Sequence, residues 1–210
     1  LAFRALGAGI VEEDDRIRVT ADRLKGADIT FGTVSVGATV NAILAATAAK
    51  GVTCLRNASC EPHIGDLIRF LNACGAAVTQ KEDGTVVIEG GRTLHGARHR
   101  LVPDMIEAGT YLIAGIMSGG SVTVTEACPA HLAELIRLLQ KAGADMTFTD
   151  TTVTATATGS LLGISFETGP YPAFPTDLHP QMAALLATAQ GPGRIEEKVW
   201  PDRFRYIDEL

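Results

Sequence analysis

Long apolar runs are missing from this 210-residue chain: no uninterrupted stretch approaches the roughly 18 residues that a membrane-spanning helix needs. A charged-then-apolar signal segment is also missing from its opening residues, so the expectation is a cytoplasmic protein without a membrane partner. Clustered cations are equally scarce. Eighteen Lys and Arg stand against 24 Asp and Glu, a formal net charge of −6, which argues against a nucleic-acid partner because phosphate backbones demand grouped positive charge. The only dense basic run, Arg98-His99-Arg100 with Arg92 nearby, reads as solvated strand residues. A small anionic ligand stays open, since a few aimed donors outweigh the global charge at short range.

Metal and disulfide frameworks are lacking too. Cys54, Cys60, Cys74 and Cys128 contain no Cys-x-x-Cys pair and read as reduced, mostly buried thiols. His63, His95, His99, His131 and His179 are scattered, without an i, i+4 pair bracketing a Glu, so no metal site and no cofactor are expected.

What is present is apolar content of 46%, ample for a core, in a length that suits one large domain or two smaller ones. A repeat organises it. Leu6-Gly7-Ala8, Cys74-Gly75-Ala76 and Ala142-Gly143-Ala144 recur every 68 residues, each reading as a helix end whose Gly supplies a left-handed C′ residue. A second anchor follows at Gly26, Gly96 and Gly163, preceded by β-rich runs such as Arg16 to Thr20, Thr85 to Glu89 and Val153 to Thr158. A third is the Gly ending a small-residue helix, at Gly51, Gly119 and Gly191. The unit is helix, strand, strand, strand, helix, strand, used about three times, with Ala-rich helices such as 39–49 and 183–189 suited to close packing. The first helix opens without a cap or a Met, and 203–210 stops inside an amphipathic stretch, so a fragment of a longer protein is expected.

Aligned on the third anchor, Ser35, Asp104 and Pro175-Thr176-Asp177 fall at equivalent helix starts. Such starts present free amides and bind anions without a Lys. Ser35-Val36-Gly37-Ala38-Thr39 is the best candidate, although an ordinary Ser cap has the same pattern. In Pro170-Tyr171-Pro172-Ala173-Phe174-Pro175-Thr176-Asp177, three prolines stiffen the approach to one carboxylate ahead of an apolar helix over 178–189. The plain reading is that Thr176 or Asp177 caps that helix, where the macrodipole also favours a carboxylate.

These residues resemble the enolpyruvyl transferase family, in the branch that acts on a UDP-sugar. The resemblance rests on Val34-Ser35-Val36-Gly37-Ala38-Thr39, Asn57-Ala58 with Glu61-Pro62, Leu101-Val102-Pro103-Asp104 with Glu107 and Gly109-Thr110, Gly143-Ala144-Asp145, Pro172-Ala173-Phe174-Pro175-Thr176-Asp177, and Arg203-Phe204. It covers essentially the whole chain but about the middle half of a typical member. It implies an α/β fold of two inside-out α/β barrels built from repeated units, with the active site between the lobes. Residues 1–102 would be the last part of the first lobe and 103–210 the first part of the second.

The implied reaction moves the enolpyruvyl group of phosphoenolpyruvate to the 3-hydroxyl of UDP-N-acetylglucosamine with release of phosphate, the first committed step of peptidoglycan synthesis. Residue by residue, the resemblance places Thr33, Val34, Ser35 and Val36 at the diphosphate side of the UDP-sugar. Asp177 falls on the carboxylate that takes the hydroxyl proton, and Val199 on a backbone contact to the sugar. Asp104 and Glu61 match as cleft or structural support. The family commonly has Lys at Thr33, Arg at Met105 and an acidic residue at Pro201. Its general acid, a Cys on a Gly-rich loop, matches none of the four cysteines, and its Lys-Asn pair and late Arg are absent, so the chain alone is expected to be inactive. A 3-phosphoshikimate enolpyruvyl transferase and a non-catalytic nucleotide-sugar-binding homologue are the alternatives.

Overall fold

Gly7, Gly75 and Gly143 carry φ of +95°, +95° and +98°, a left-handed conformation that costs glycine little and other residues much. Each ends its helix in the same way. The glycine amide returns to the residue three back (Gly75 N to Asn72 O, 3.0 Å), and the next amide returns to the residue five back (Ala76 N to Leu71 O, 3.0 Å). Residues 7–8 and 143–144 reproduce both bonds, so one Schellman motif is used three times.

The computed structural model describes residues 1–210, which divide into two compact units, Leu1–Val102 and Pro103–Leu210. In the first, α1 (Ala2–Ala5) precedes the hairpin β1 (Gly9–Glu13) and β2 (Arg16–Thr20). Then come β3 (Asp28–Thr30), α2 (Val36–Ala48), β4 (Gly51–Arg56), α3 (Pro62–Ala73), β5 (Val78–Gln80) and β6 (Val86–Gly90). The four-stranded sheet runs β3-β4-β6-β5, with β3 parallel to β4 and the other pairs antiparallel. Its core holds Leu6, Ile43, Leu55, Ile64 and Ile88, all fully buried. Ala42 and Ala46 of α2 are fully buried as well, and a Cβ on Gly90 would lie 2.2 Å from Ala46 O. The small residues of that helix therefore bring backbone against backbone.

The second unit contains α4 (Met105–Met117), β7 (Ser121–Thr125), a 3-10 turn at Pro129–Leu132, α5 (Ala133–Lys141), β8 (Asp145–Phe148) and β9 (Thr152–Thr156). It continues with β10 (Ser165–Glu167), a 3-10 turn at Thr176–Leu178, α6 (His179–Thr188), β11 (Arg194–Glu196) and a 3-10 turn at Arg205–Glu209. Sheet order β7-β9-β8 copies β4-β6-β5, and the parallel pair β10 and β11 around α6 copies β3 and β4 around α2.

The repeat is incomplete in one place. Three strands were expected after each first helix, yet the second repeat has only β5 and β6. The register still holds at the second anchor, because Lys25 N, His95 N and Leu162 N each reach the carbonyl of the residue that caps the end of their helix (Leu6, Cys74 and Ala142) at 2.9 Å. One residue later the copies part. Gly26 and Gly163 sit so close to the chain that follows the next helix that a Cβ would meet Val52 O at 2.2 Å and Pro192 O at 2.5 Å, whereas Gly96 has nothing within 4 Å. From Gly96 the chain runs toward the boundary between the units instead of forming a strand.

Arg98-His99-Arg100 is accordingly not a strand, and of the three only Arg98 and Arg100 are exposed as expected. His99 is largely buried, and its Nε2 lies 2.9 Å from Asp66 Oδ1 on α3, a carboxylate that Arg69 also meets at 3.1 Å. Burial alone would raise the Asp66 pKa, but the hydrogen bond and charge of His99, the Val102 amide and Arg69 together hold it below its ordinary value. The run leading out of the first unit is thus tied to α3. The cysteines differ from expectation too: all are free thiols, but only Cys74 is buried, and Cys60 is exposed. Sequence order did not predict that, because burial there depends on which face of each element packs inward.

Candidate functional site

The proline-rich turn is held at both ends. Phe174 is fully buried and packs edge-on against Phe166 with ring centroids 4.7 Å apart, burial worth about 2–3 kcal/mol. Between them the loop closes on itself through Ala173 N to Pro170 O (3.0 Å) and Gly169 N to Phe174 O (2.9 Å), with a cis bond at Tyr171-Pro172. On the far side Leu178 is 1% exposed and fills the space left by Gly109 of α4, where a Cβ would stand 2.7 Å from its Cδ1. Asp177 is therefore an exposed carboxylate between two buried anchors.

Neither Thr176 nor Asp177 caps the helix. The Thr176–Leu178 turn and α6 have no side-chain cap, and α6 begins at His179 with Pro180 in its first turn, where a missing N–H costs nothing. Asp177 Oδ1 instead meets the Arg203 guanidinium at 2.6 Å, and the Thr176 hydroxyl donates to Glu197 Oε2 at 2.8 Å. Arg203 is delivered by the turn Trp200–Arg203, closed by Arg203 N to Trp200 O (3.0 Å), with Pro201 in the position where its fixed φ suits a turn.

Glu197, which the sequence reading passed over, is the centre of this half. Its side chain is fully buried. Oε1 accepts the amides of Val199 (2.7 Å) and Trp200 (2.9 Å), Oε2 accepts Thr176, and His179 Nδ1 lies 3.3 Å from Oε2. Burial pushes the Glu197 pKa up, but donors from Trp200, Thr176, Val199 and Thr168 outweigh it and hold the group below its usual value. His179 is one of the five histidines that the sequence scatters without a motif. It is fully buried, with Nε2 2.9 Å from the Tyr206 hydroxyl and the Phe204 ring edge-on at 5.0 Å. Burial, above all, depresses its pKa; Arg203 adds to that effect and Glu197 opposes it. No spacing rule marks this pair, because the two residues are 18 positions apart and meet only through the fold.

In the other unit, Ser35 does act as a cap: its Oγ accepts Ala38 N at 3.3 Å and its carbonyl receives the Thr39 hydroxyl at 2.8 Å. Thr39, itself buried, also accepts Ser59 N at 2.9 Å, which fixes the turn from below. Val36 and Gly37 keep amides without intrahelical partners, and a Cβ on Gly37 would meet nothing within 4 Å. Thr33 is exposed, and Val34 and Val36 are half-buried. These features suit an anion approaching along the helix axis. Asp104 caps α4 by accepting Ile106 N (2.8 Å) and Glu107 N (3.3 Å), and Glu61 precedes Pro62 at the start of α3. The fold thus ties Thr176, the neighbour of Asp177, to Val199 through Glu197, and it groups Thr33 to Val36 separately in the first unit.

A family model described as EPSP synthase (3-phosphoshikimate 1-carboxyvinyltransferase) matches residues 1–210. The chain belongs to the EPSP synthase family. Several of its curated relatives carry a different acceptor in their names. Proteins from Clostridium botulinum and Hydrogenovibrio crunogenus, both called UDP-N-acetylglucosamine 1-carboxyvinyltransferase, are 41% and 44% identical to it over 208 and 209 residues. Each match takes in 99% of this chain and 50% of the relative, so the chain spans about half the length of the curated relatives it matches. Among solved structures, the enolpyruvyl transferase NikO from Streptomyces tendae superposes with a TM-score of 0.82 at 27% identity, over 100% of this chain and 53% of that one. An EPSP synthase from Acinetobacter baumannii, at 21% identity and a TM-score of 0.67 over 92% and 46%, shares the fold. This EPSP synthase family member has the α/β enolpyruvyl transferase fold that its motifs imply.

Proposed function

We propose that this chain is the central part of an enzyme that transfers the enolpyruvyl group of phosphoenolpyruvate to the 3-hydroxyl of UDP-N-acetylglucosamine and releases phosphate. The observation that carries the reading is the set of relatives of that name at 41–44% identity across 99% of the chain. In cells the activity would serve peptidoglycan synthesis, in the cytoplasm, and through it cell-wall growth, cell shape and division. Residues 1–102 belong to one lobe of that enzyme and 103–210 to the other.

The chemistry assigns roles. Asp177 accepts the proton of the sugar 3-hydroxyl as its oxygen bonds to the enolpyruvyl carbon, and phosphate leaves from that carbon. Arg203, paired with Asp177, holds the carboxylate toward the acceptor. The amide of Val199 is committed to Glu197, so its carbonyl is the backbone group that meets the sugar. Ser35 and the amides of Val36 and Gly37 face the diphosphate side, with Thr33 and Val34 lining the approach. A separate acid must protonate the methylene carbon of phosphoenolpyruvate as the sugar oxygen adds, and a base must take a proton back from the resulting methyl as phosphate leaves, which restores the double bond; no residue of this chain is assigned to either step.

The description of the matching family favours a second reading, with shikimate 3-phosphate as acceptor. Calorimetric titration of the longer enzyme containing this chain separates the two. Binding of UDP-N-acetylglucosamine, and no binding of shikimate 3-phosphate, is the expected result; the reverse pattern overturns the proposal.

A further inference from the structure

Glu197 lies outside the residues assigned above, yet it touches both parts of the Asp177 half-site. A buried carboxylate is costly unless its lone pairs are filled. Here three hydrogen bonds reach it, from the Thr176 hydroxyl at 2.8 Å and the amides of Val199 and Trp200 at 2.7 and 2.9 Å, and His179 Nδ1 lies 3.3 Å away. Thr168, itself buried, adds a link from behind, since its hydroxyl accepts Lys198 N at 2.9 Å within the same turn. His179 is braced in its turn by Tyr206.

Two of these contacts reach the reacting groups by one residue. Thr176 immediately precedes Asp177, and the Val199 amide belongs to the residue whose carbonyl faces the sugar. Geometry in such a site must hold to a fraction of an ångström, because small misplacements of a reacting group reduce rate steeply. The exposed Asp177–Arg203 pair cannot supply that rigidity alone. Both side chains keep 35% or more of their surface in water, where ion pairs are weak.

We propose that Glu197 is a positioning residue for this site: through Thr176 it sets the direction of Asp177, and through the Val199 and Trp200 amides it sets the carbonyl that meets the sugar. This rests on the enolpyruvyl transfer proposed above. The two arms predict separable effects. Losing the Thr176 arm disturbs proton acceptance and lowers kcat; losing the amide arm disturbs sugar binding and raises KM. An alanine at residue 197 removes both arms, because no oxygen is left to accept the Thr176 hydroxyl or the two amides.

The test uses the longer enzyme and steady-state phosphate release with UDP-N-acetylglucosamine and phosphoenolpyruvate. Thr176→Val removes only the hydroxyl and is expected to lower kcat about tenfold or more while KM for the UDP-sugar stays within about twofold. Thr176→Ser keeps the hydroxyl and should restore kcat. Glu197→Ala should lower kcat and raise KM together. If it fails to fold, the Thr176 pair decides. Wild-type kcat in Thr176→Val, or equal losses in Thr176→Val and Thr176→Ser, overturns the positioning role. A wild-type enzyme that releases no phosphate with these two substrates overturns the reaction itself, a result distinct from either.

Discussion

The Arg203 guanidinium lies 2.6 Å from the Asp177 carboxylate, and the two residues come from separate turns that Glu197 ties together. Phe174 and Leu178 hold one turn from the core, and Pro201 bends the other. The arrangement explains why an exposed Asp at a helix start leaves the cap position empty: its oxygen already has a stronger donor, and the amides there are oriented by the 3-10 turn.

Replacing Arg203 by Ala should therefore cost function and not stability. An ion pair this exposed contributes about 0–1 kcal/mol, so the melting temperature should move little, while kcat/KM of the longer enzyme falls about tenfold or more. Calorimetry beside steady-state kinetics on Arg203→Ala checks both parts; a large loss of stability would mean that the pair is architectural.

The incomplete second repeat makes a sharp contrast between two glycines. Gly26→Ala drives a Cβ to 2.2 Å from Val52 O and should destabilise the protein by about 2 kcal/mol or more. Gly96→Ala meets open space and should stay within about 0.5 kcal/mol of wild type. Urea unfolding of the two variants side by side measures the difference.

His179 predicts a pH dependence. Its folded pKa is depressed below 6.5, so below about pH 6.5 the unfolded chain takes up a proton that the folded protein refuses. Stability attributable to this group is complete above that pH and declines as pH falls toward the depressed folded value. The Glu197 contribution follows the same sign but is present down to its ordinary 4.5 and is lost below it. Thermal midpoints between pH 5 and 7 should slope less in His179→Gln than in wild type.

Asp66 is the tie between α3 and the run leaving the first unit. Removing a buried carboxylate leaves the donors around it unpaired, so Asp66→Ala should cost about 2 kcal/mol and speed hydrogen exchange at the Val102 amide. The exposed Arg92–Glu89 pair should be nearly silent by comparison, at under about 0.5 kcal/mol for Arg92→Ala.

How far the amino-acid order reveals such features depends on how local their causes are. Gly7, Gly75 and Gly143 end helices by backbone sterics alone, and the prolines from 170 to 175 stiffen their turn in the same way, so both were legible. Ser35 was legible as a cap because its partners lie within four residues. Glu197 was not, since Glu196-Glu197-Lys198 reads as three charged neighbours and only enclosure by Thr168, Thr176 and two amides decides which one is buried. His99 and Asp66 are 33 residues apart, and their pairing depends on a strand that fails to form. Asp177 fell between these cases: the turn could be read from its prolines, but Arg203, 26 positions later, could not be foreseen as its partner.

The central claim concerns the acceptor and its carboxylate, and one assay addresses both: phosphate release by the longer enzyme, wild type and Asp177→Asn, with phosphoenolpyruvate and either UDP-N-acetylglucosamine or shikimate 3-phosphate. The account predicts release only with the UDP-sugar, falling about 10²- to 10⁴-fold in Asp177→Asn. Release that depends on shikimate 3-phosphate, or an Asp177→Asn enzyme as fast as wild type, would contradict it.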